Sequence, residues 1–218
     1  MCDTVRLCLW ILATVLCAMV AAGVSWAEPQ LVYSEDWSDG DGGWSWTQSM
    51  AGIKRPAQRI YVGHPLVKYA IWFYGSCTWG FQYRTIPEVP LKISTTAVIY
   101  GPNRNALSVN VRTSGGAPIY KYGFCTGRIG ANKQPPTWSY RDTDLAYDAE
   151  VPYELYSIWI PNSGVFALGL KNLLTGEDKL SGYWWGCRSQ AVPAWIDIDQ
   201  EGGRGPAALL KVDVYAGW

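Results

Sequence analysis

Apolar and polar residues alternate along this chain with a period of two. KYAIWFY, TWGFQYRTI, LKISTTAVIY, ALSVNVRTS, APIYKYGF, YELYSIWI, GVFALGL, GYWWGCRS, AWIDID and LLKVDVYAG are short and rich in β-branched or aromatic residues, with Gly, Pro, Asn or Asp at their ends. Successive side chains of a strand point to opposite faces, so this pattern predicts about ten half-buried strands. No dozen residues carry an apolar stripe at helical spacing. KNLLTGEDKLSG comes nearest, but Gly176 interrupts it and it reads as a turn between strands. The prediction is an all-β domain, a two-sheet antiparallel sandwich or jelly roll. The longest piece without clear alternation, residues 127–152, reads as a loop.

The first 27 residues stand apart. Arg6, an apolar run to Gly23, and Ser25 and Ala27 at the positions a peptidase reads have the form of a signal peptide. The run is shorter than the roughly 20 residues a spanning helix needs. A lipid-anchored alternative through Cys17 is disfavoured by the large Leu16 before it. The expectation is a secreted, extracellular or periplasmic protein with one domain over residues 28–218 and no membrane insertion after cleavage. Arg6 and Asp3 leave with the leader, so 18 basic and 18 acidic residues become 17 of each. A balanced chain offers no clustered basic face for nucleic acid.

Three cysteines remain beyond the leader: Cys77, Cys125 and Cys187. In an oxidising compartment this odd count implies one disulfide and a spare thiol, buried or bridging a disulfide-linked dimer, and leaves the pairing open. No C-x-x-C spacing supports zinc, and His64, the one histidine, precedes Pro65. No G-x-S-x-G, G-x-x-x-x-G-K-[ST] or strand–G-x-G-x-x-G–helix pattern is present, which argues against α/β-hydrolase and nucleotide chemistry.

AWIDIDQEG, residues 194–202, puts Asp197, Asp199 and Glu201 on one strand face and Ile196 and Ile198 on the other. Acids two apart on a strand lie about 6.7 Å apart at the backbone, within reach of paired-carboxylate chemistry. The array resembles the E-x-D-x-E strand of laminarinase-type glycoside hydrolases. That likeness implies Asp197 as nucleophile and Glu201 as acid/base, with Asp199 between them. The family's first position is Glu, whereas here it is Asp. The other reading of the strand has isoleucines in the core and acids in water.

LVYSEDWSDGDGGWSW cannot be an EF-hand, because Gly43, Trp44 and Met50 fall where a third acid, the glycine and the closing Glu are required. It resembles the opening strand of secreted concanavalin A-like and carbohydrate-binding-module jelly rolls, and LLKVDVYAGW resembles their closing strand. The resemblance implies that these two strands lie side by side and share a structural calcium, with Glu35, Asp36 and Asp213 as candidate oxygen ligands. Without it, Asp39, Gly40 and Asp41 make a plain turn. Trp44 and Trp46 share a face and are expected to pack the fold.

The aromatic load adds the functional expectation. The chain has 13 Trp and 14 Tyr against 4 Phe, a preference for rings with a polar edge. Such rings stack on pyranose faces while their N–H and O–H groups meet hydroxyls. Trp72 and Tyr74 share one strand face, Gln82 and Arg84 another, and Asn110 and Arg112 turn away from Val109 and Val111. With Trp184, these seven form a candidate groove for a polysaccharide or other glycan, used without catalysis. The alternatives are a glycoside hydrolase or polysaccharide lyase on the same fold, and a structural envelope or matrix protein. For each tryptophan taken singly, the alternative role is sheet or core packing.

Overall fold

The computed structural model describes residues 29–40, 42–47, 58–73, 77–82, 91–100, 107–132, 140–187, 191–200 and 206–217, and of 45–47, 77–82, 140 and 183–185 it describes the backbone. These residues form fifteen strands. In chain order they are β1 (Gln30–Glu35), β2 (Ser45–Thr47), β3 (Gln58–Tyr61), β4 (Tyr69–Phe73) and β5 (Cys77–Gln82). Then follow β6 (Leu91–Ile99), β7 (Leu107–Arg112), β8 (Pro118–Cys125), β9 (Arg128–Asn132) and β10 (Tyr140–Ala146). The last are β11 (Pro152–Trp159), β12 (Val165–Asn172), β13 (Asp178–Gly186), β14 (Trp195–Gln200) and β15 (Ala207–Ala216). All pairings are antiparallel. One sheet has the order β13-β12-β11-β6-β15-β4-β3, with β1 also on β15, and the other β10-β9-β8-β7-β14-β5-β2.

The all-β sandwich expected from the alternation is the fold found, and each of the ten anticipated segments contains a strand. The loop expected over 127–152 is corrected: it holds β9 and β10, paired with each other, and β9 pairs with β8. Ile129 and Ala131 supply β9's inward face, and Thr143 and Leu145 supply β10's. β10 ends its sheet, where polar side chains between the inward ones meet water freely.

Packing follows from the alternation. On β6, Leu91, Ile93, Ala97 and Ile99 enter the core, while Lys92, Ser94 and Thr96 lie on the outer face. A bulge between Leu209 and Lys211 rephases β15, so that Leu209 and Val212 both point inward although an odd number of positions separates them, and Val214 continues the inward face. Tyr120 and Tyr122 of one sheet meet Phe166 of the other, Tyr120 at a centroid distance of 4.3 Å. Their buried hydroxyls converge on Ser157, whose Oγ donates to Tyr122 Oη at 3.1 Å and lies 3.2 Å from Tyr120 Oη. That contact satisfies polar tips that would otherwise be costly in a core.

The opening stretch is fixed from below. β1 pairs with β15, as the resemblance to jelly-roll ends implies, with Ser34 opposite Asp213 and Glu35 opposite the core residue Val212. Glu35 therefore turns inward. Its Oε1 accepts from the Trp37 amide at 2.7 Å, its Oε2 lies 3.4 Å from the Tyr33 hydroxyl, and Trp44 Nε1 donates to that hydroxyl at 2.8 Å. Trp37 and Trp44 meet edge to face at 5.5 Å and both are buried. A Cβ on Gly42 would lie 1.5 Å from Glu35 Oε2, so a side chain there would push the carboxyl out of its present position.

Burial, and then the charges of Asp39 and Asp36, raise the Glu35 carboxyl above its ordinary value, against the pull of the Trp37 amide. A carboxyl whose pKa rises on folding contributes stability that is complete below its unfolded value, about 4.3, and is lost as pH climbs through the folded value. Glu35→Gln should thus gain stability relative to the parent as pH rises from about 4 to neutrality. Parallel urea melts across that range check this, and a constant difference between the two proteins would refute it.

Candidate functional site

β14 lies between β7 and β5, inside the seven-stranded sheet. Ile196 and Ile198 are fully buried in the core, which aims Asp197 and Asp199 at the outer face, as the sequence pattern requires. β7 does the same beside it: Val109 and Val111 enter the core, and Asn110 and Arg112 turn outward. The register sets Asp197 against Asn110, Asp199 against Ser108, and Trp195 against both Arg112 and Gln82. On the far side of β7, Lys121 of β8 pairs with Asn110.

These side chains form two linked groups. Asp197 accepts from Arg112 Nε on one carboxylate oxygen and from Trp195 Nε1 on the other. Arg112 Nη1 also donates to the Gly116 carbonyl at 3.2 Å. Asp199 Oδ2 accepts from Asn110 Nδ2 at 3.0 Å and from Lys121 Nζ at 3.3 Å. The second group is buried, with the Lys121 side chain 3% and that of Asp199 12% exposed. The first opens to solvent, with Arg112 25% exposed and Trp195 half-buried. Asn110 Oδ1 and, on β9, Asn132 Oδ1 are buried acceptors without a hydrogen-bond partner among the described residues.

The seven residues proposed for a groove are only partly gathered. Asn110 and Arg112 share the outer face of β7, and the backbone of Gln82 lies two strands away, across Trp195 of β14. Trp72 is elsewhere. β4 belongs to the eight-stranded sheet, Ile71 and Phe73 take its core side, and Trp72 therefore lies on the opposite surface of the sandwich. There it packs on Tyr100 at 5.1 Å and on a small apolar cluster with Val67, Ala70 and Val98. The backbone at Trp184 pairs with Ala167 at the edge of that same sheet. Tyr74, Arg84 and Glu201 lie outside the described residues. Sequence reasoning missed Trp195 and Lys121. Trp195 shares the alternation that singled out Asp197 and Asp199, so its position was readable, whereas Lys121 is reached only through strand pairing.

Glu35, Asp36 and Asp213 do not converge on one point. Glu35 is turned inward beneath Gly42, and Asp213 faces out, taking Ser34 Oγ at 2.7 Å and Lys211 Nζ at 2.9 Å. Asp36 is exposed, and its Oδ1 accepts from the Ser38 amide at 3.0 Å. Calcium takes six to eight oxygens. Among the described residues no three His, Cys, Asp or Glu side chains are grouped to hold a metal. Cys125 and Cys187 are buried and not bridged to each other. Burial pushes the Cys187 thiol up to about 11, which makes it a poor nucleophile for a bridge to a second chain.

No protein-family model and no curated protein matches the chain. Solved structures do. A sialidase aligns with TM-score 0.57 at 9% identity over 84% of this chain, which spans 18% of the sialidase. Peanut lectin aligns with TM-score 0.55 at 7% identity, over 87% of this chain and 98% of the lectin. The Lotus tetragonolobus seed lectin gives 0.54 at 6% identity, over 84% and 97%. At such identities the likeness is one of fold: the chain shares the two-sheet jelly-roll sandwich of these structures.

Proposed function

We propose that this protein is a secreted, non-catalytic carbohydrate-binding sandwich whose glycan contacts centre on Trp195 and Arg112. One observation carries the reading. A half-buried indole is locked by its own N–H to Asp197, and Asp197 is clamped by the neighbouring guanidinium. The ring is thereby oriented before any ligand arrives, which reduces the ordering cost of stacking a pyranose on it. Arg112 Nη2 makes no hydrogen bond among the described residues and is available to sugar oxygens. The lectins among the structural neighbours are consistent with this use of the fold.

The hydrolase reading is less well served by these residues. Both oxygens of Asp197 already accept hydrogen bonds, one from Arg112 and one from Trp195, which spreads its charge into the protein and weakens it as a nucleophile. Loss of β-glucan cleavage in Glu201→Gln would establish hydrolysis in place of binding.

Trp195→Ala should weaken binding of the best ligand on a glycan array by about 2 kcal/mol, or roughly thirtyfold, as for an aromatic anchor. Trp195→Phe keeps a ring to stack and should retain most of it. Unchanged affinity in Trp195→Ala, or an array on which the parent protein binds nothing, refutes the proposal.

A further inference from the structure

The outer face of the eight-stranded sheet, on the other side of the sandwich, carries a cleft of about 420 Å³. Its floor is a register row across three strands: Glu154 of β11 and Lys211 of β15 both pair with Thr96 of β6. Neighbouring strands are about 4.8 Å apart, so Glu154 and Lys211 stand on opposite walls roughly 10 Å from each other at the backbone. Leu66 and Val67 from the segment after β3, Leu173 from the turn after β12, and Asp36, Asp213 and Tyr215 complete the lining.

The hydrogen-bonding capacity of this lining is lopsided. Lys211 is committed to Asp213 at 2.9 Å, and Asp213 uses its other oxygen on Ser34. Glu154 Oε1 accepts from Ser94 Oγ at 2.8 Å and faces Lys92 Nζ at 3.2 Å, whereas Oε2 has no partner among the described residues. Lys92 itself sits behind the cleft, with its ammonium 4.3 Å from the Tyr156 ring centroid and 5.7 Å from that of Tyr215. Three carboxylates thus line the opening; Lys92 and Lys211 offset two of them, and the exposed Asp36 and the second oxygen of Glu154 are left to take donors from a ligand. The leucines, Val67 and the Tyr215 ring offer apolar contact beside them. The volume lies in the range of small-ligand pockets, roughly 300–1,000 Å³.

We propose that this cleft binds a small polyhydroxylated ligand carrying a protonated primary amine, of the amino-sugar class. The ammonium is held between Glu154 and Asp36, the hydroxyls meet Thr96 and the remaining carboxylate oxygens, and the sugar ring lies against Tyr215 and the aliphatic wall. The site shares no residue with the Trp195 face and does not depend on glycan binding there.

The test is a calorimetric titration with the free-amine disaccharide of glucosamine and with its N,N′-diacetylated counterpart, below about pH 7, where such amines are protonated. The free amine should bind saturably, and the acetylated sugar about tenfold or more weaker. Glu154→Gln and the exposed Asp36→Asn should each weaken the free-amine disaccharide about tenfold and reduce its preference over the acetylated form. Trp195→Ala should leave it unchanged. Absence of saturable binding, equal affinity for both sugars, indifference to both carboxylate substitutions, or loss in Trp195→Ala would each overturn the proposal.

Discussion

Asp199→Ala is expected to lower the unfolding free energy by about 3–5 kcal/mol, the cost of removing one partner from a buried ion pair. Asp199 Oδ2 receives both the Lys121 ammonium and the Asn110 amide, and the Lys121 side chain is 3% exposed. Truncation removes the carboxylate that faces Lys121 and accepts from the Asn110 amide, at a place where the two charged side chains are only 3% and 12% exposed. The loss comes from desolvated polar groups losing a partner and not from intrinsic strength of the pair. The double replacement Asp199→Leu with Lys121→Met should therefore recover much of it. Asp199→Asn keeps an oxygen for Asn110 but no charge for Lys121 and should fall between. Urea midpoints at constant m-value provide the measurement. A loss under about 1 kcal/mol for Asp199→Ala would mean that water reaches Lys121 after all.

Much of the sandwich was readable because alternation is a local property. AWIDID and ALSVNVRTS each state which side chains face the core, and in both the structure agrees to the residue. Alternation does not say which sheet a strand joins. Trp72 and Arg112 carry the same kind of outward signal, but β4 pairs with β15 and β7 pairs with β14, so the two residues lie on opposite surfaces. That choice rests on pairings between segments far apart in the chain, and a groove assembled from strand faces alone cannot respect it. Counter-charges are hidden for the same reason: Arg112 meets Asp197 across 85 positions and Lys121 meets Asp199 across 78. A strand of acids that reads as a catalytic row in isolation becomes a neutralised network once its neighbours are in place. Glu35 shows a related limit. Its strand position put it near Asp213 in sequence logic, but adjacent residues on paired strands face opposite ways, and the core side claimed it.

Gly123→Ala is expected to destabilise the protein by about 3 kcal/mol, at the upper end of overpacking costs, because the clash is with backbone and not with a side chain that can turn aside. Gly123 of β8 lies opposite Ser108 of β7. A Cβ there would sit 2.3 Å from the Leu107 carbonyl oxygen and 2.7 Å from Ser108 Cα. β7 cannot withdraw to make room: β14 is paired to its other edge, and Leu107, Val109 and Val111 are buried beneath it. The strain would be relieved by moving β8, the strand that carries Lys121 to Asp199 and Tyr120 and Tyr122 to Phe166. Gly123→Ala should accordingly lower stability and disturb the polar face together, so that glycan affinity through Trp195 and Arg112 falls with it. Gly115→Ala is the matched control. Only Thr113 Oγ1, at 3.9 Å, approaches its added methyl, and its effect should stay within about 0.5 kcal/mol. Equal melting temperatures for the Gly123→Ala and Gly115→Ala proteins would show that β7 and β8 are not held at this separation.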